Sequence, residues 1–176
     1  MENLFLNCES LQTVEFGENF STSKVVNMAS MFSECKTLRE IDLSVLDTSN
    51  VEDMNNLFSE CKMMTSINLS TFNTHNVKNM SSIFSECEAL GSVVFGNKFD
   101  TRNVTDMSSM FNNCNSLKTL RLSNKIKKLP EGIFSHLKIS SINIPSDVEE
   151  IPGYCFDSCS NLTSVTIPAK VKKIGD

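Results

Sequence analysis

Phe32-Ser-Glu-Cys35-Lys-Thr-Leu38-Arg-Glu-Ile41-Asp-Leu43 is answered 26 residues later by Phe58-Ser-Glu-Cys61-Lys-Met-Met64-Thr-Ser-Ile67-Asn-Leu69. The same beat of Phe, Cys and three apolar residues reads Phe5-Cys8-Leu11-Val14-Phe16 and Phe84-Cys87-Leu90-Val93-Phe95. It returns as Phe111-Cys114-Leu117-Leu120-Leu122 and Phe156-Cys159-Leu162-Val165-Ile167. A degenerate copy, Phe134-Leu137-Ile142-Ile144, is one residue shorter and has Leu137 where Cys is expected. Self-similarity at a period in the twenties is the mark of a solenoid, in which each coil buries its apolar face only against its neighbours. The fold expected is therefore a leucine-rich-repeat type solenoid of about seven coils: short stacked parallel β-strands with short helical turns, moderately curved.

A second beat, an apolar pair three residues apart, separates two kinds of coil. It runs Val25/Met28, Val51/Met54, Val77/Met80, Val104/Met107, Ile126/Leu129, Val148/Ile151 and Val171/Ile174. Leu43 leads to Val51 across eight residues, but Leu122 leads to Ile126 across four. The period accordingly drops from 26–27 to 22–23 by loss of one loop, dividing a single domain into residues 1–122 and 123–176. The irregular copy at Phe134 marks the junction, near residues 122–145, as a place where regular stacking is expected to falter. Gly17 and Gly96 fall at the same point of the two 27-residue coils, suggesting a turn with positive φ.

Alternations such as Ile41-x-Leu43 and Val165-x-Ile167 predict short strands with one buried face. Val-x-x-Met predicts a second extended segment. Met28-Met31-Phe32-Cys35 has the i, i+3, i+4, i+7 spacing of a helical face, with Asn27, Asp53, Asn79 and Asp106 placed as N-caps. Pro130 and Pro152 begin the same segment in the short coils, where a first-turn Pro is tolerated. Thr22, Thr48, Thr74 and Thr101, with Asn50, Asn76 and Asn103, recur in register. They predict stacked side-chain-to-backbone hydrogen bonds in the loop, against the alternative of a ligand-binding Asn ladder. The Asn-x-Ser/Thr sequons follow from the same richness in Asn, Ser and Thr.

Composition narrows the function. A net charge of −5 over 176 residues argues against a nucleic-acid surface, and the basic run Lys125, Lys127 and Lys128 is modest. No stretch is apolar enough to span a bilayer, and Met1 leads straight into polar residues without a signal peptide. Neither end carries a polar capping repeat, so the chain reads as a fragment of a longer protein. Six of the seven Cys share one repeat position; Cys155 does not. They read as a column of buried thiols, with a metal site or a disulfide ladder as the alternatives. No cofactor or metal site is expected. His75 and His136 lie in no recognised catalytic constellation, no Gly-rich phosphate loop occurs, and no catalytic residue is expected.

Residues 47–61, Asp47-Thr-Ser-Asn-Val-Glu-Asp-Met54-Asn-Asn-Leu-Phe58-Ser-Glu-Cys61, resemble the 26-residue repeat of bacterial surface proteins with BspA-like leucine-rich repeats. The run from Ile144-Pro145 to Ile167-Pro168 resembles the shorter BspA-type repeat. The resemblance implies a secreted or surface-anchored protein that acts as an adhesin toward host or other microbial proteins. Its ligands would be of the extracellular-matrix or serum type.

Where the partner would sit can be read from the strands. Between the last two buried residues of each coil lie Glu15, Asp42, Asn68, Val94, Arg121, Asn143 and Thr166, flanked by Arg39, Glu40, Thr65, Ser66, Ser92, Lys118 and Thr119. This column runs from acidic through neutral to basic, and a protein of complementary polarity could read it. The competing reading is a structural spacer that projects another domain with no ligand of its own. Neither reading fixes an oligomeric state.

Overall fold

In the computed structural model, which describes residues 1–122 and 126–175, the coils stack as the repeat requires. Lys125 of the basic run lies outside the described residues, as does the side chain of Arg121. The principal strand row is β1 (Ser66–Leu69), β2 (Ser92–Phe95), β3 (Thr119–Arg121), β4 (Ser141–Asn143) and β6 (Ser164–Thr166). All pairing is parallel: β1 with β2, β3 with β4, and β4 with β6. The predicted strand at Ile41-x-Leu43 joins no ladder. A second row holds β5 (Glu150–Ile151) paired with β7 (Lys173–Ile174), the extended segment anticipated from Val-x-x-Met. In the long coils the same row is made of single bridges, Asn27 to Asp53 to Asn79 to Asp106.

The helical turns do not form; among the described residues there is no helix. From Met28 to Cys35 the backbone spends alternate N–H groups in opposite directions. Those of Met28, Ser30, Phe32 and Glu34 donate to the carbonyls of Asp53, Asn55, Leu57 and Ser59 in the next coil, at 2.8–3.0 Å. Those of Met31, Ser33 and Cys35 donate three residues back within the coil, at 3.2–3.3 Å. Every fourth residue carries the reversal in φ: Ser30 at 53° and Glu34 at 60°, then Asn56 at 53° and Glu60 at 58°. Such a chain of tight turns buries i, i+3 and i+4 just as a helix does, which is why the spacing pointed to one. A helix would keep its N–H groups to itself and needs about 8–10 Å between neighbours. The strand row allows only about 4.8 Å per coil. Asn27, Asp53, Asn79 and Asp106 still accept from the backbone N–H two residues on, at 2.8–3.0 Å, but they open a turn instead of a helix.

Each coil places its beat inside. Phe32, Phe58, Phe84, Phe111 and Phe134 are all buried, and successive rings stack as far as Phe111: 5.5 Å from Phe32 to Phe58, 6.0 Å from Phe58 to Phe84 and 5.6 Å from Phe84 to Phe111. Backbone bonds join most neighbouring coils through the turn row, and ladders join β1 to β2 and β3 to β4 and β6 on the strand side. Curvature can draw only on the small excess of this ring spacing over the strand pitch. Inside the long loop sits a column that the two beats did not include: Phe20, Leu46, Phe72 and Phe99, with Phe72 and Phe99 fully buried. The loop is therefore part of the core. Gly96 is also explained differently from the expectation. Its φ is not positive; instead a Cβ there would stand 2.0 Å from the carbonyl oxygen of Ser70.

Candidate interaction face

The parallel register places the outward residues of the principal row side by side. Asn68 lies opposite Val94, and Asn143 stands between Arg121 and Thr166. Glu15, Arg39, Glu40, Asp42, Asn68, Val94, Lys118, Asn143 and Thr166 are all exposed. Val94, half exposed, is the apolar centre of this face. Its acidic end is Glu15, Glu40 and Asp42, interrupted by Arg39; Lys118 supplies positive charge near β3.

Two of these side chains also serve the backbone. Asp42 Oδ1 accepts from the Ser44 N–H at 2.9 Å, and Asn68 Oδ1 from the Ser70 N–H at 3.0 Å. The Ser44 N–H, together with its side chain, holds the Asp42 carboxyl below the usual carboxylate range. Asp42 therefore presents a fixed negative charge at neutral pH, with one oxygen committed.

Register turns the flanking Ser66, Ser92 and Thr119 into parts of rows and adds Ser141 and Ser164. Ser66 and Ser92 are partners, and Thr119, Ser141 and Ser164 are partners in turn. These exposed hydroxyls line one margin of the face. A shallow depression of about 320 Å³ opens between β3, β4 and β6, walled by Thr119, Ser141, Asn143, Ser164 and Thr166. A second, of about 300 Å³, lies at the acidic end against Val14, Glu15, Phe16, Asp42 and Val45. The face is broad, polar and without a deep cavity, a shape suited to a macromolecule more than to a small ligand.

Other repeated side chains have structural work. Thr22, Thr48 and Thr74 donate forward to the carbonyls of Asp47, Asn73 and Asp100 at 2.8–3.0 Å. Asn50, Asn76 and Asn103 donate backward to those of Ser23, Ser49 and His75 at 2.7–2.8 Å. These are the side-chain-to-backbone bonds expected from the Thr-x-Asn repeat. The cysteines form the expected column of thiols. Cys61, Cys87 and Cys114 point into the stack, each donating to the carbonyl of the preceding coil's Phe at 3.0–3.2 Å. Burial pushes the Cys114 thiol up to about 12; burial and a neighbouring thiol push Cys35 to about 11. Protonated, hydrogen-bonded thiols are poor nucleophiles. His75 belongs to the loop stitching through its carbonyl, and His136 sits exposed at positive φ, 3.8 Å from Asp157.

Residues 1–124 match the protein-family profile described as "Mycoplasma protein of unknown function, DUF285". Residues 102–176 match that of the BspA type leucine rich repeat region, in 6 copies. No curated protein matches the chain. Among solved structures, a leucine rich repeat protein of T. pallidum is similar with a TM-score of 0.69 at 22% identity, over 93% of this chain and 76% of that one. A leucine rich cell surface protein from Faecalibacterium prausnitzii is similar at 20% identity and a TM-score of 0.50; the match covers 99% of this chain but 53% of that protein. At such identities the likeness is one of fold.

Proposed function

We infer, for a chain that belongs to the DUF285 family and carries BspA-type leucine-rich repeats, that it is a protein-binding module working at a cell surface. The observation that carries this reading is the exposed row of Asn68 and Val94 on one ladder and Asn143 and Thr166 on the next, with Arg121 in backbone register beside Asn143. Extended surfaces of this kind are what solenoids use to bind. The row joins an acidic end to an apolar centre and a hydroxyl-rich end, so its partner would carry a basic segment facing Glu15, Glu40 and Asp42. Adhesion to host or other microbial proteins is the role this face would serve. Among the described residues no helix is long and apolar enough to cross a membrane. Surface location thus rests on the kinship with repeat proteins of that kind, and the face asks for no catalytic group.

The test is a pull-down with extracellular-matrix and serum proteins, using the chain and a variant with Asp42→Ala, Val94→Ser and Arg121→Ala together. Retention of a partner by the chain and its loss by the variant is the expected result. Equal retention by both would move binding off this face. No retained protein at high concentration would favour the spacer.

A further inference from the structure

The stitches that join one coil to the next are interrupted on both sides of the coil from Met107 to Leu122. In the turn row, the N–H groups of Ser82, Phe84 and Glu86 donate to Ser108, Met110 and Asn112 in the following coil, at 2.7–3.0 Å. Those of Gly132, Phe134 and His136 do the same to Gly153, Cys155 and Asp157. Among the described residues, no such bond joins Ser109, Phe111 or Asn113 to the coil after them. The Phe stack breaks there as well: rings stack up to Phe111 and again from Phe134 to Phe156 at 5.7 Å, but Phe111 and Phe134 do not stack. The thiol column misses the same step, because Leu137 holds the position from which a Cys would reach the Phe111 carbonyl.

The loop stitching ends there too. Thr74 Oγ1 donates to Asp100 and accepts its N–H, whereas Thr101 Oγ1, equally buried, has no partner. The next coil lacks the loop that would supply one. Likewise the bridge row that starts at Asn27 stops at Asp106. On the strand side the break falls one step earlier, since β2 and β3 are not joined by a ladder although β3 pairs with β4. A small depression of about 150 Å³ opens at the seam between Val104, Thr105, Met107 and Lys128, Leu129, Pro130.

We propose that the coil from Met107 to Leu122 is a hinge between two blocks of the solenoid. Its turn is bonded only to the long coils before it, and its strand only to the short coils after it. Each of its two interfaces is thus laddered along one side only, and the other side is held by the common hydrophobic core, which runs through both blocks. Apolar contact is non-directional, whereas backbone ladders fix register, so an interface laddered on one side can open on the other. The hinge lies under the candidate face between Val94 and Arg121 and lets its two halves change their mutual angle. It coincides with the overlap, at residues 102–124, of the two family matches. This proposal needs no ligand, so it stands apart from the protein-binding reading.

Hydrogen exchange of the full chain, followed by mass spectrometry with fragment-level resolution, tests it. The amides of Ser109, Phe111 and Asn113 should exchange at least about tenfold faster than those of Ser82, Phe84 and Glu86, their counterparts one coil earlier. With rising urea, residues 28–95 and 134–174 should lose protection as separate units. Ile144→Ala should raise exchange throughout 134–174 and leave 28–95 within about twofold. Equal protection at 109–113 and 82–86, or a response to Ile144→Ala shared by both blocks, would overturn the hinge.

Discussion

The Thr48 hydroxyl and the peptide of Asn73 are bound twice over: Oγ1 donates to the Asn73 carbonyl at 3.0 Å and accepts the Asn73 N–H at 2.8 Å. The pair joins one coil to the next through a buried side chain. It is repeated at Thr74 and Asp100, at 2.8 and 2.7 Å. A hydroxyl used as both donor and acceptor on one peptide leaves no buried polar atom unmatched. Such pairs hold the long loops closed over Phe72 and Phe99.

Thr74→Val keeps the shape and removes both bonds, leaving the Asp100 N–H and carbonyl buried and unmatched. The expected loss is about 1–3 kcal/mol in a urea titration. Thr74→Ser should recover most of it. Thr101→Val, at the position without a partner, should cost nothing or stabilise slightly, because no bond is lost there.

Phe72→Ala tests whether the loop column is core. Phe72 is as buried as Phe58 of the main stack, so both substitutions should cost about 3–5 kcal/mol. A loop residue without a core role would cost well under 1 kcal/mol on the same measurement.

Gly96→Ala forces a Cβ to within 2.0 Å of the Ser70 carbonyl oxygen, an atom that moves only with its coil. Gly17→Ala meets nothing within 4 Å. Thermal denaturation should show a marked fall in Tm for the first. The second should show no change or a small rise, since Ala restricts the unfolded chain.

The buried thiols set an alkaline limit on stability. Folded-state values for Cys35, Cys155 and Cys114 are raised to about 11, about 11 and about 12 from an ordinary 9.0, chiefly by burial. The folded state therefore holds these protons when the unfolded chain has already released them. Stability is at its full value below pH 9 and falls as pH rises from there toward 11–12. Each such thiol contributes a slope of up to about 1.4 kcal/mol per pH unit. Urea midpoints at pH 8 and pH 10 should show the fall. Replacing Cys35 by Ala should make it shallower, because one of the linked protons is gone.

How far the sequence carried the structure can be judged residue by residue. The Phe, Cys and Leu positions of the beat are core positions, and the strand alternation at Ile67-x-Leu69 and Val93-x-Phe95 is a parallel ladder. The Thr-x-Asn repeat does stitch the loop. The local conformation of Met28 to Cys35 is not legible in the spacing, because burial spacing records which side chains point inward and not where the N–H groups go. Phe72 was passed over because it fell between beats, although its copies at Phe20, Leu46 and Phe99 were there to compare. Ser66, Ser92 and Thr119 are legible in the sequence as flanks of the face, but Ser141, Ser164 and their alignment with Thr119 depend on register.

The sequence alone determined that the chain is a solenoid and which side chains fill it, since a repeated apolar beat can be buried in only one way, coil upon coil. It also marked the change of coil length and the odd copy at Leu137. Tertiary structure alone decided how the coils are joined. The backbone bonds run between residues about 26 apart in the long coils, and whether each N–H meets a carbonyl depends on the pitch and register of the neighbouring coil. That is why the matched turns of 82–86 and 109–113, so alike in sequence, differ: one is stitched to the coil that follows it, and the other is not.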